Sequence, residues 1–245
     1  WSSSELSSFL IDISVSVLEY LDKDTKQPLV SLILDRAEQK GTGRLAAIAA
    51  LELGVAAPSI SESVSARILS SKKQERVSSS KIYKKPEAKH PYLDIVDMKK
   101  ALLAAKISAY AQGFDILSAA NKEFDWDMNL ADIAKNWRAG CIIRARFLDE
   151  VAEAFITEAK LANLIMAPHF SSILKDSIPS LRRVVKWAIT RGIPSPVLSA
   201  SLSYFETYTS PNLPANLIQG QRDYFGSHGF ERIDKSGFHT SDWNQ

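Results

Sequence analysis

The chain has 245 residues, of which 30 are Lys or Arg and 28 are Asp or Glu, so its formal net charge at pH 7 is +2. This length can bury one sizeable core, and the near balance of charge gives no overall electrostatic reason to expect a nucleic-acid-binding protein. A hydrophobic content of 45% with 24% charged residues argues against disorder.

The first fifty residues show mainly helical periodicity. Apolar residues recur at three- and four-residue steps over residues 6–21, as one face of a helix requires. Residues 26–28, Lys-Gln-Pro, predict a turn, and residues 28–34 suit either a helix or a strand. Residues 41–43, Gly-Thr-Gly, predict a break before an alanine- and leucine-rich helix over residues 44–54.

The middle of the chain contains the longest predicted helix. Ser59, with Glu62 three residues later, matches the pattern of a serine that caps a helix start. Residues 78–91 combine serines, lysines and two prolines, and we predict an exposed connection there. Residues 93–120 predict the long helix, in which alanines let neighbouring helices approach and larger apolar residues supply buried area.

Further helices are predicted in the carboxy-terminal half. Residues 130–155 and 178–190 have helical patterns. Residues 192–196, Gly-Ile-Pro-Ser-Pro, predict a stop, because glycine and proline interrupt helices. The next helix is predicted over residues 197–208, and residues 212–225 can still be helical.

The last twenty or so residues differ in character from the rest. Residues 226–245 are polar, contain glycine and lack apolar periodicity, which predicts an extended tail and not a packed layer. The chain has no internal repeat and no alternation of strands with helices. The predicted fold class is therefore all-α, a helical bundle, with a helical domain over residues 1–225 followed by the tail.

Cysteine content and hydropathy bear on the compartment. The single cysteine, Cys141, excludes an internal disulfide and a cysteine-based zinc site, and it fits a reducing, cytoplasmic setting. No uncharged apolar stretch approaches the roughly 20 residues of a membrane helix, so we expect no membrane association. The residues after Trp1 do not resemble a signal peptide, and we expect Trp1 to be a cut edge with more chain before it.

A loose dinucleotide-binding pattern occurs at Gly41-x-Gly43-x-x-Ala46. That pattern binds a coenzyme only where the glycines directly follow a strand and open a helix. A charged run over residues 35–40 separates these glycines from the preceding apolar segment. We therefore interpret the match as accidental.

Two cations near these glycines are candidates for binding an anion. Lys40 precedes glycines whose missing side chains would let an anion approach the backbone, although a solvated Lys in a turn is the simpler reading. Arg67 is a lone cation among small and apolar residues. It either pairs with a buried carboxylate or points its planar fork at an anionic ligand.

A second pair of candidates lies near the carboxy terminus. Arg222 and His228 flank a predicted helix end at Gly226, and cations grouped there would suit an anion reached from outside the core. The alternative is that Arg222 pairs with Asp223 or Glu231 and that His228 is a solvated tail residue.

Other polar groups have structural interpretations. The basic residues between 72 and 85 lack aromatic interleaving and predict a solvated face, not an RNA or DNA site. Residues 136–145 combine Gly140 with two arginines and predict close helix packing, with Cys141 in the core. His90, His169 and His239 lack metal-ligand spacing, and no metal site is predicted.

Four strings together resemble the 6-phosphogluconate dehydrogenase family, in that family's order and across almost the whole chain. The longest of them is highly specific. The strings are Gln-Lys-Gly-Thr-Gly at 39–43, Trp-Arg-Ala-Gly-Cys-Ile-Ile-Arg-Ala at 137–145, Pro-Ala-Asn-Leu-Ile-Gln-Gly-Gln-Arg-Asp-Tyr-Phe-Gly-Ser-His at 214–228 and Phe-His-Thr at 238–240.

The resemblance implies a decarboxylating, NADP-dependent enzyme of the pentose phosphate pathway, with a role in gluconate utilization. In that family a Rossmann domain precedes a large helical domain, and a tail inserts into the other subunit of a homodimer. The substrate 6-phosphogluconate is oxidised by hydride transfer to NADP, loses carbon dioxide and gives ribulose 5-phosphate. A lysine acts as base and a glutamate as acid, with no metal.

The resemblance also implies roles for individual residues. Lys40 and Arg67 match the family's substrate-binding Lys and Arg, and Arg222 and His228 match the pair that the tail delivers into the partner's active site. The dinucleotide fingerprint and the segment with the catalytic Lys and Glu have no match here. No catalytic residue is therefore assigned in this chain, NADP would be bound mainly by the missing domain, and the chain alone is expected to be inactive.

The loop at Lys40 departs from the family pattern. Arg44-Leu45-Ala46 stands where Lys-Trp-Thr is usual, and Glu38 stands where Gly is common, so the shape of the loop is open although Lys40 is kept. A different class of function is also open. The chain could be a non-catalytic helical dimerisation module derived from the enzyme.

Overall fold

The computed structural model describes residues 1–86 and 92–243 and contains ten α-helices and one short strand pair in them. Contacts divide the chain into two compact units, residues 1–205 and residues 206–245, with α9 spanning the boundary. The elements are α1 (Phe9–Glu19), α2 (Thr42–Glu52), α3 (Pro58–Ser71), α4 (Lys73–Ile82), α5 (Ile95–Phe124), α6 (Leu130–Asn136), α7 (Leu148–Thr157), α8 (Pro168–Thr190), α9 (Pro196–Tyr208), α10 (Ala215–Gly226), β1 (Phe230–Glu231) and β2 (Phe238–His239).

The core of the first unit is built on α5 and α8. The side chain of Asp94 caps α5 by accepting from the Val96 N–H at 2.9 Å. Small and large residues then alternate along its buried face, so that α8 packs closely against it. Core residues from the two helices are Ala101, Ala104, Ile107, Ala111 and Phe114 of α5 and Phe170, Leu174, Ile178, Leu181 and Val185 of α8. The all-α expectation is confirmed.

A charged contact also joins these two helices. Arg183 of α8 donates from Nε to Asp97 Oδ2 of α5 at 2.8 Å, and the Ser180 hydroxyl donates to Asp97 Oδ1 at 2.8 Å. The hydrogen bonds from Arg183 and Ser180 outweigh the desolvation of the carboxyl group and lower the pKa of Asp97 to about 2.

A helix starts at Pro58, where the sequence predicted one, but its cap differs from the prediction. Pro58 occupies the first turn, and the residue before it, Ala57, supplies no side-chain cap. Ser59 is buried inside the helix and contacts Gln112 and Ser201 instead of serving as the cap. The serine–acid spacing therefore located the helix start, but the capping role of Ser59 is wrong, because its polar partners come from other helices.

The predicted helix over residues 130–155 is two helices. Between α6 and α7 the chain turns through Gly140, which has a φ of +68°. The segment then pairs with the amino-terminal chain: Phe9 N–H donates to the Arg144 carbonyl at 3.2 Å, and Arg146 N–H donates to the Ser7 carbonyl at 3.0 Å. A Cβ on Gly140 would contact nothing within 4 Å, so close packing does not explain this glycine.

Other boundaries shift in smaller ways. α8 begins at Pro168, ten residues before the predicted start. The predicted connection over residues 78–91 is helical in its first part, because α4 continues to Ile82, and residues 87–91 lie outside the described residues. Residues 28–34, left open as helix or strand, form a single turn of 3-10 helix over Leu29–Ser31 followed by irregular chain.

The amino-terminal helix has no buried side chain. α1 presents apolar residues to solvent within the single chain, and the irregular segment after it does the same. Such a large exposed apolar surface is unusual for a monomer and typical of an interface. The exposed residues are Leu10, Ile13, Val15, Val17, Leu18, Leu21, Val30, Leu32, Ile33 and Leu34.

The second unit contains α10 and the tail. β1 and β2 pair antiparallel, with Phe230 opposite His239 and Glu231 opposite Phe238. The tail therefore forms a short hairpin that packs on α10, a feature that the sequence did not predict. The second unit begins at residue 206, whereas the sequence placed the division after residue 225. The unit includes α10 because α10 and the tail are joined by hydrogen bonds. The roles assigned to the two parts stay predictions.

None of the helices within residues 1–86 and 92–243 combines the length and the apolar character that crossing a membrane would require.

Candidate functional site

Polar contacts hold residues 35–38, the segment before Lys40, against α3 and α4, and this set of contacts is named the strap. Lys73 Nζ and Arg76 Nη1 donate to the carboxylate of Asp35 at 2.6 and 3.0 Å. The hydrogen bonds from Arg76 and Lys73 keep the pKa of Asp35 well below its usual range. Further along, the Ser70 hydroxyl oxygen accepts from the Ala37 N–H at 2.9 Å. An irregular segment is thereby fixed without backbone pairing.

Arg67 completes this strap. Its guanidinium donates to the backbone carbonyl of Glu38, two residues before Lys40. Arg67, on α3, therefore contacts the segment that leads into Lys40, and a common role of the two residues in binding one ligand stays a prediction. The predicted alternative of a buried carboxylate partner is wrong within the described residues, where Arg67 meets a carbonyl group and no carboxylate.

Both cations are exposed. Lys40 forms no ion pair with any described residue, and its ammonium group is available to a ligand. Gly41 precedes the first residue of α2, and no side chain caps that helix start. Backbone N–H groups at an uncapped helix start favour an anion, so the loop places two cations beside a further source of positive potential.

The dinucleotide-like glycines have another explanation. Residues 36–40, which precede these glycines, are irregular and do not form a strand. A coenzyme-binding glycine pattern would need a strand directly before it. A Cβ at Gly43 would lie 3.2 Å from the Val64 side chain, so this glycine lets α2 approach α3. Its role is helix packing, not coenzyme binding.

Arg222 and His228 lie in the second unit, at the carboxy-terminal end of α10. Arg222 is exposed and forms no ion pair within residues 1–86 and 92–243; its neighbour Asp223 is occupied by other donors. The His228 ring lies over Gly226, where a Cβ would come within 2.7 Å of His228 Nε2. Because positions four apart share a helix face, this ring lies on the face of α10 that carries Arg222.

The carboxylate of Asp223 was not predicted as important. It is 2% exposed and accepts hydrogen bonds from four residues that follow it in the chain. Those donors are Gly229 N at 2.9 Å, Thr240 Oγ1 at 2.7 Å, Ser241 N at 3.0 Å and Trp243 Nε1 at 2.8 Å. Three of the four lie 17 to 20 residues away, so no local pattern reveals the cluster. Asp35 was missed for the same reason.

Several other charged residues singled out in the sequence have intramolecular contacts. Arg138 donates to Asp149 Oδ1 at 2.6 Å, and Arg144 stacks over the Phe9 ring at 4.0 Å from its centroid. In the basic segment 72–85, Lys72 pairs with Glu75 at 3.2 Å, and Lys73 and Arg76 hold Asp35. These contacts agree with a structural interpretation of the arginines, whereas the close packing expected at Gly140 and the core position expected for Cys141 are wrong: a Cβ on Gly140 would meet nothing within 4 Å, and Cys141 is half-buried.

Within the described residues, no group of three histidine, cysteine or acidic side chains is arranged so that it could hold a metal ion. His169 lies against Phe170, and His239 lies in β2 near the Ser236 carbonyl. His90 lies outside the described residues.

Comparison with known proteins finds one consistent set of relatives. Residues 1–243 match the family model described as "6-phosphogluconate dehydrogenase, C-terminal domain". The chain is 46% identical over 247 aligned residues to "6-phosphogluconate dehydrogenase, decarboxylating" of Escherichia coli K12, covering 99% of the chain and 52% of the relative. Identity is 44% over 248 residues to the "NADP(+)-dependent, decarboxylating" enzyme of Bacillus subtilis, with coverage of 99% and 53%.

A solved structure gives the same result. The fold superposes on Plasmodium falciparum 6-phosphogluconate dehydrogenase with a TM-score of 0.94 at 40% identity, covering 99% of the chain and 53% of that protein. That enzyme has been solved in its apo form, with its cofactor NADP+ and with its substrate 6-phosphogluconate. The chain spans about half the length of each of these relatives.

Proposed function

The chain belongs to the 6-phosphogluconate dehydrogenase family through its C-terminal domain, and from this premise we propose that it is the substrate-binding and dimerisation part of the decarboxylating enzyme. The reaction is the oxidation of 6-phosphogluconate by hydride transfer to NADP, followed by loss of carbon dioxide and protonation of the enediol to ribulose 5-phosphate. This activity of the pentose phosphate pathway would take place in the cytoplasm.

Four side chains are proposed to bind the substrate. The substrate carries a phosphate and a carboxylate, and Lys40, Arg67, Arg222 and His228 supply charge or hydrogen-bond donors that suit such groups. The observation that carries the proposal is that Lys40 and Arg67 are both exposed and that Arg67, on α3, donates to the backbone two residues before Lys40, with no carboxylate neutralising either of them among the described residues. Each charge-assisted hydrogen bond would contribute about 1.5–3 kcal/mol to binding.

No catalytic base or acid is assigned in this chain. In the family these groups, and the site for NADP, belong to parts that have no counterpart here. The chain would therefore bind and orient the substrate while the coenzyme-binding half supplies the chemistry. No metal is needed for this division of labour.

We also propose a homodimer with exchanged tails. The exposed apolar surface of α1 and residues 30–34 would be covered by the other subunit or by the coenzyme-binding half. The folded tail would carry Arg222 and His228 into the partner's site. One site would then combine Lys40 and Arg67 of one chain with Arg222 and His228 of the other.

The activity is tested by supplying the missing half. The amino-terminal half of the Escherichia coli relative is joined ahead of Trp1, and reduction of NADP is followed by absorbance with 6-phosphogluconate as substrate. The joined protein is expected to be active, and the 245-residue chain alone is expected to be inactive. A joined protein that folds but binds no 6-phosphogluconate would favour the non-catalytic dimerisation module.

Tail exchange is tested by mixing two inactive variants. Lys40→Ala and Arg222→Ala versions of the joined protein are unfolded together, refolded and assayed. If tails are exchanged, each mixed dimer contains one intact site, and random pairing restores about a quarter of the wild-type activity. If each tail serves its own subunit, the mixture stays as inactive as the separate variants, and exchange is refuted.

A further inference from the structure

The buried carboxylate of Asp223 joins the end of α10 to three separate points of the tail. Its Oδ1 atom accepts from Gly229 N–H and the Thr240 hydroxyl, and its Oδ2 atom accepts from Ser241 N–H and the Trp243 indole N–H. Both ends of the hairpin, residues 229 and 240–241, are therefore held on one side chain. The four donors and this carboxylate are called the Asp223 latch below.

The latch acts directly on the backbone next to His228. The peptide N–H that follows His228 is the one that Gly229 donates to Asp223 Oδ1 at 2.9 Å. On its other side, the Gly229 carbonyl accepts from Gln219 Nε2 at 2.6 Å. Gly229 is thus fixed at both its N–H and its carbonyl, and the direction in which His228 leaves the helix end is fixed with it.

Steric contacts leave little room for another arrangement. Gly229 has a φ of +71°, and a Cβ there would come within 2.4 Å of the Phe238 ring on β2. Ser227, the residue after α10, is left-handed at a φ of +48°. A sharp turn of this kind returns the His228 ring over Gly226, and it holds only while the hairpin stays closed against the helix.

The latch requires the charged form of Asp223. An ionised carboxylate offers only acceptors, and all four partners are donors. Burial of the carboxyl group opposes its ionisation, but the hydrogen bonds from Thr240, Ser241, Trp243 and Gly229 together outweigh burial and lower its pKa to about 2. An amide at this position would present an NH2 group to N–H and O–H donors and could not satisfy all four.

We propose that Asp223 is a positioning residue for substrate binding, holding His228 on the face of α10 that carries Arg222. This inference rests on the proposed function of those two residues. Asp223 itself does not touch the substrate in this scheme. Its effect passes through Gly229 to the imidazole, and through Thr240, Ser241 and Trp243 to the hairpin that backs the turn.

The decisive variant is Asp223→Asn in the joined protein, with Asp234→Asn as the matched control. Asp234 is an exposed acid in the same hairpin whose partner is Arg232, at 2.7 and 2.8 Å, and it lies outside the latch. Asp223→Asn is expected to raise the KM for 6-phosphogluconate about ten-fold or more while changing the KM for NADP by less than two-fold. Asp234→Asn is expected to leave both values unchanged.

Hydrogen–deuterium exchange measures whether the hydrogen bonds of the Asp223 latch are intact, without any substrate. The amides of Gly229 and Ser241 should exchange at least ten-fold faster in Asp223→Asn, while α5 and α8 keep their protection. Unchanged exchange at these two amides would overturn the latch. Faster exchange with an unchanged KM for 6-phosphogluconate would overturn the positioning role and retain the latch. A wild-type joined protein without 6-phosphogluconate-dependent activity would refute the proposed function, while the exchange measurement would still decide the latch.

Two substitutions at Thr240 test the same inference if Asp223→Asn unfolds the tail, because they disturb the Asp223 latch less. Thr240→Val removes one donor to Asp223 Oδ1, and Thr240→Ser keeps it. Thr240→Val should raise the KM for 6-phosphogluconate several-fold, and Thr240→Ser should restore it to within two-fold of wild type. Equal KM values for the two variants would contradict the inference.

Discussion

The side chain of Gln112, on α5, caps the start of the neighbouring helix α3 by bonding to Ser59. Its Oε1 atom accepts from the Ser59 N–H at 2.8 Å, and its Nε2 atom donates to the Ser59 hydroxyl oxygen at 2.9 Å. Both residues are fully or almost fully buried, and the Ser59 hydroxyl also lies 2.9 Å from that of Ser201 on α9. The first turn of α3, the helix that carries Arg67, is thus satisfied by a tertiary contact.

The first prediction concerns this contact. Gln112→Leu keeps a similar volume but leaves the buried Ser59 N–H without an acceptor, which should lower the free energy of unfolding by about 1–3 kcal/mol. Urea denaturation of the 245-residue chain measures it. The control is Gln74→Leu at an exposed position of α4, which should change stability by less than about 0.5 kcal/mol. Equal effects of the two substitutions would show that the α3 cap contributes nothing.

The second prediction concerns the strap before Lys40. Asp35→Asn removes the charge that Lys73 and Arg76 hold, so the loop with Lys40 should loosen. We expect the KM for 6-phosphogluconate to rise roughly three- to ten-fold, with little change in the melting temperature, because the contacts lie at the surface. Asp24→Asn, an exposed acid in an earlier turn, is the control and should have no effect. An unaltered KM in Asp35→Asn would mean that the strap does not position Lys40.

The third prediction separates binding from folding at Arg222. Arg222→Ala should weaken the binding of 6-phosphogluconate about 10- to 100-fold, which corresponds to one charge-assisted contact. The melting temperature should hardly change, because Arg222 forms no ion pair within the described residues. Arg232→Ala, which removes an exposed Arg of the hairpin, should leave binding intact. Equal losses of affinity and thermal stability in Arg222→Ala would identify a structural arginine instead.

The fourth prediction uses two glycines of α10. A Cβ at Gly226 would lie 2.7 Å from His228 Nε2, whereas a Cβ at Gly220 would meet Trp243 at an ordinary 3.7 Å. Gly226→Ala should therefore displace the imidazole and raise the KM for 6-phosphogluconate several-fold. Gly220→Ala should leave the KM unchanged and stabilise the helix by up to about 1 kcal/mol. Steady-state kinetics and thermal unfolding measure both effects, and indistinguishable KM values would contradict the placement of His228.

The fifth prediction concerns acid stability through Asp97. Its folded-state pKa of about 2 lies below the ordinary value of 3.8, so its contact with Arg183 and Ser180 stabilises the fold above about pH 4. This contribution is lost as the pH falls through 2. Asp97→Asn should lower the melting temperature by about 1–4 °C at pH 6, and the difference from wild type should shrink steadily between pH 4 and pH 2. A difference that does not depend on pH would rule out ionisation of Asp97 as its cause.

Helical periodicity predicted the elements that depend on local pattern. The long helix α5 lies within a few residues of its expected position because apolar residues repeat along one face over eight turns. The same holds for α1, α2 and α9. The break between α6 and α7 was missed, because it depends on pairing of residues 144 and 146 with residues 7 and 9, far away in the sequence.

The candidate site divides in the same way. The sequence alone identified the candidate residues. Lys40, Arg222 and His228 lie in strings that resemble one family, and Arg67 matches a residue of that family, so amino-acid identity was sufficient to select them. What holds each of them in place was decided only by the tertiary structure. The side-chain partners of Asp35 lie 38 and 41 residues away, and three of the four donors to Asp223 lie 17 to 20 residues away; hydrogen bonds between residues so far apart leave no periodic trace in the chain.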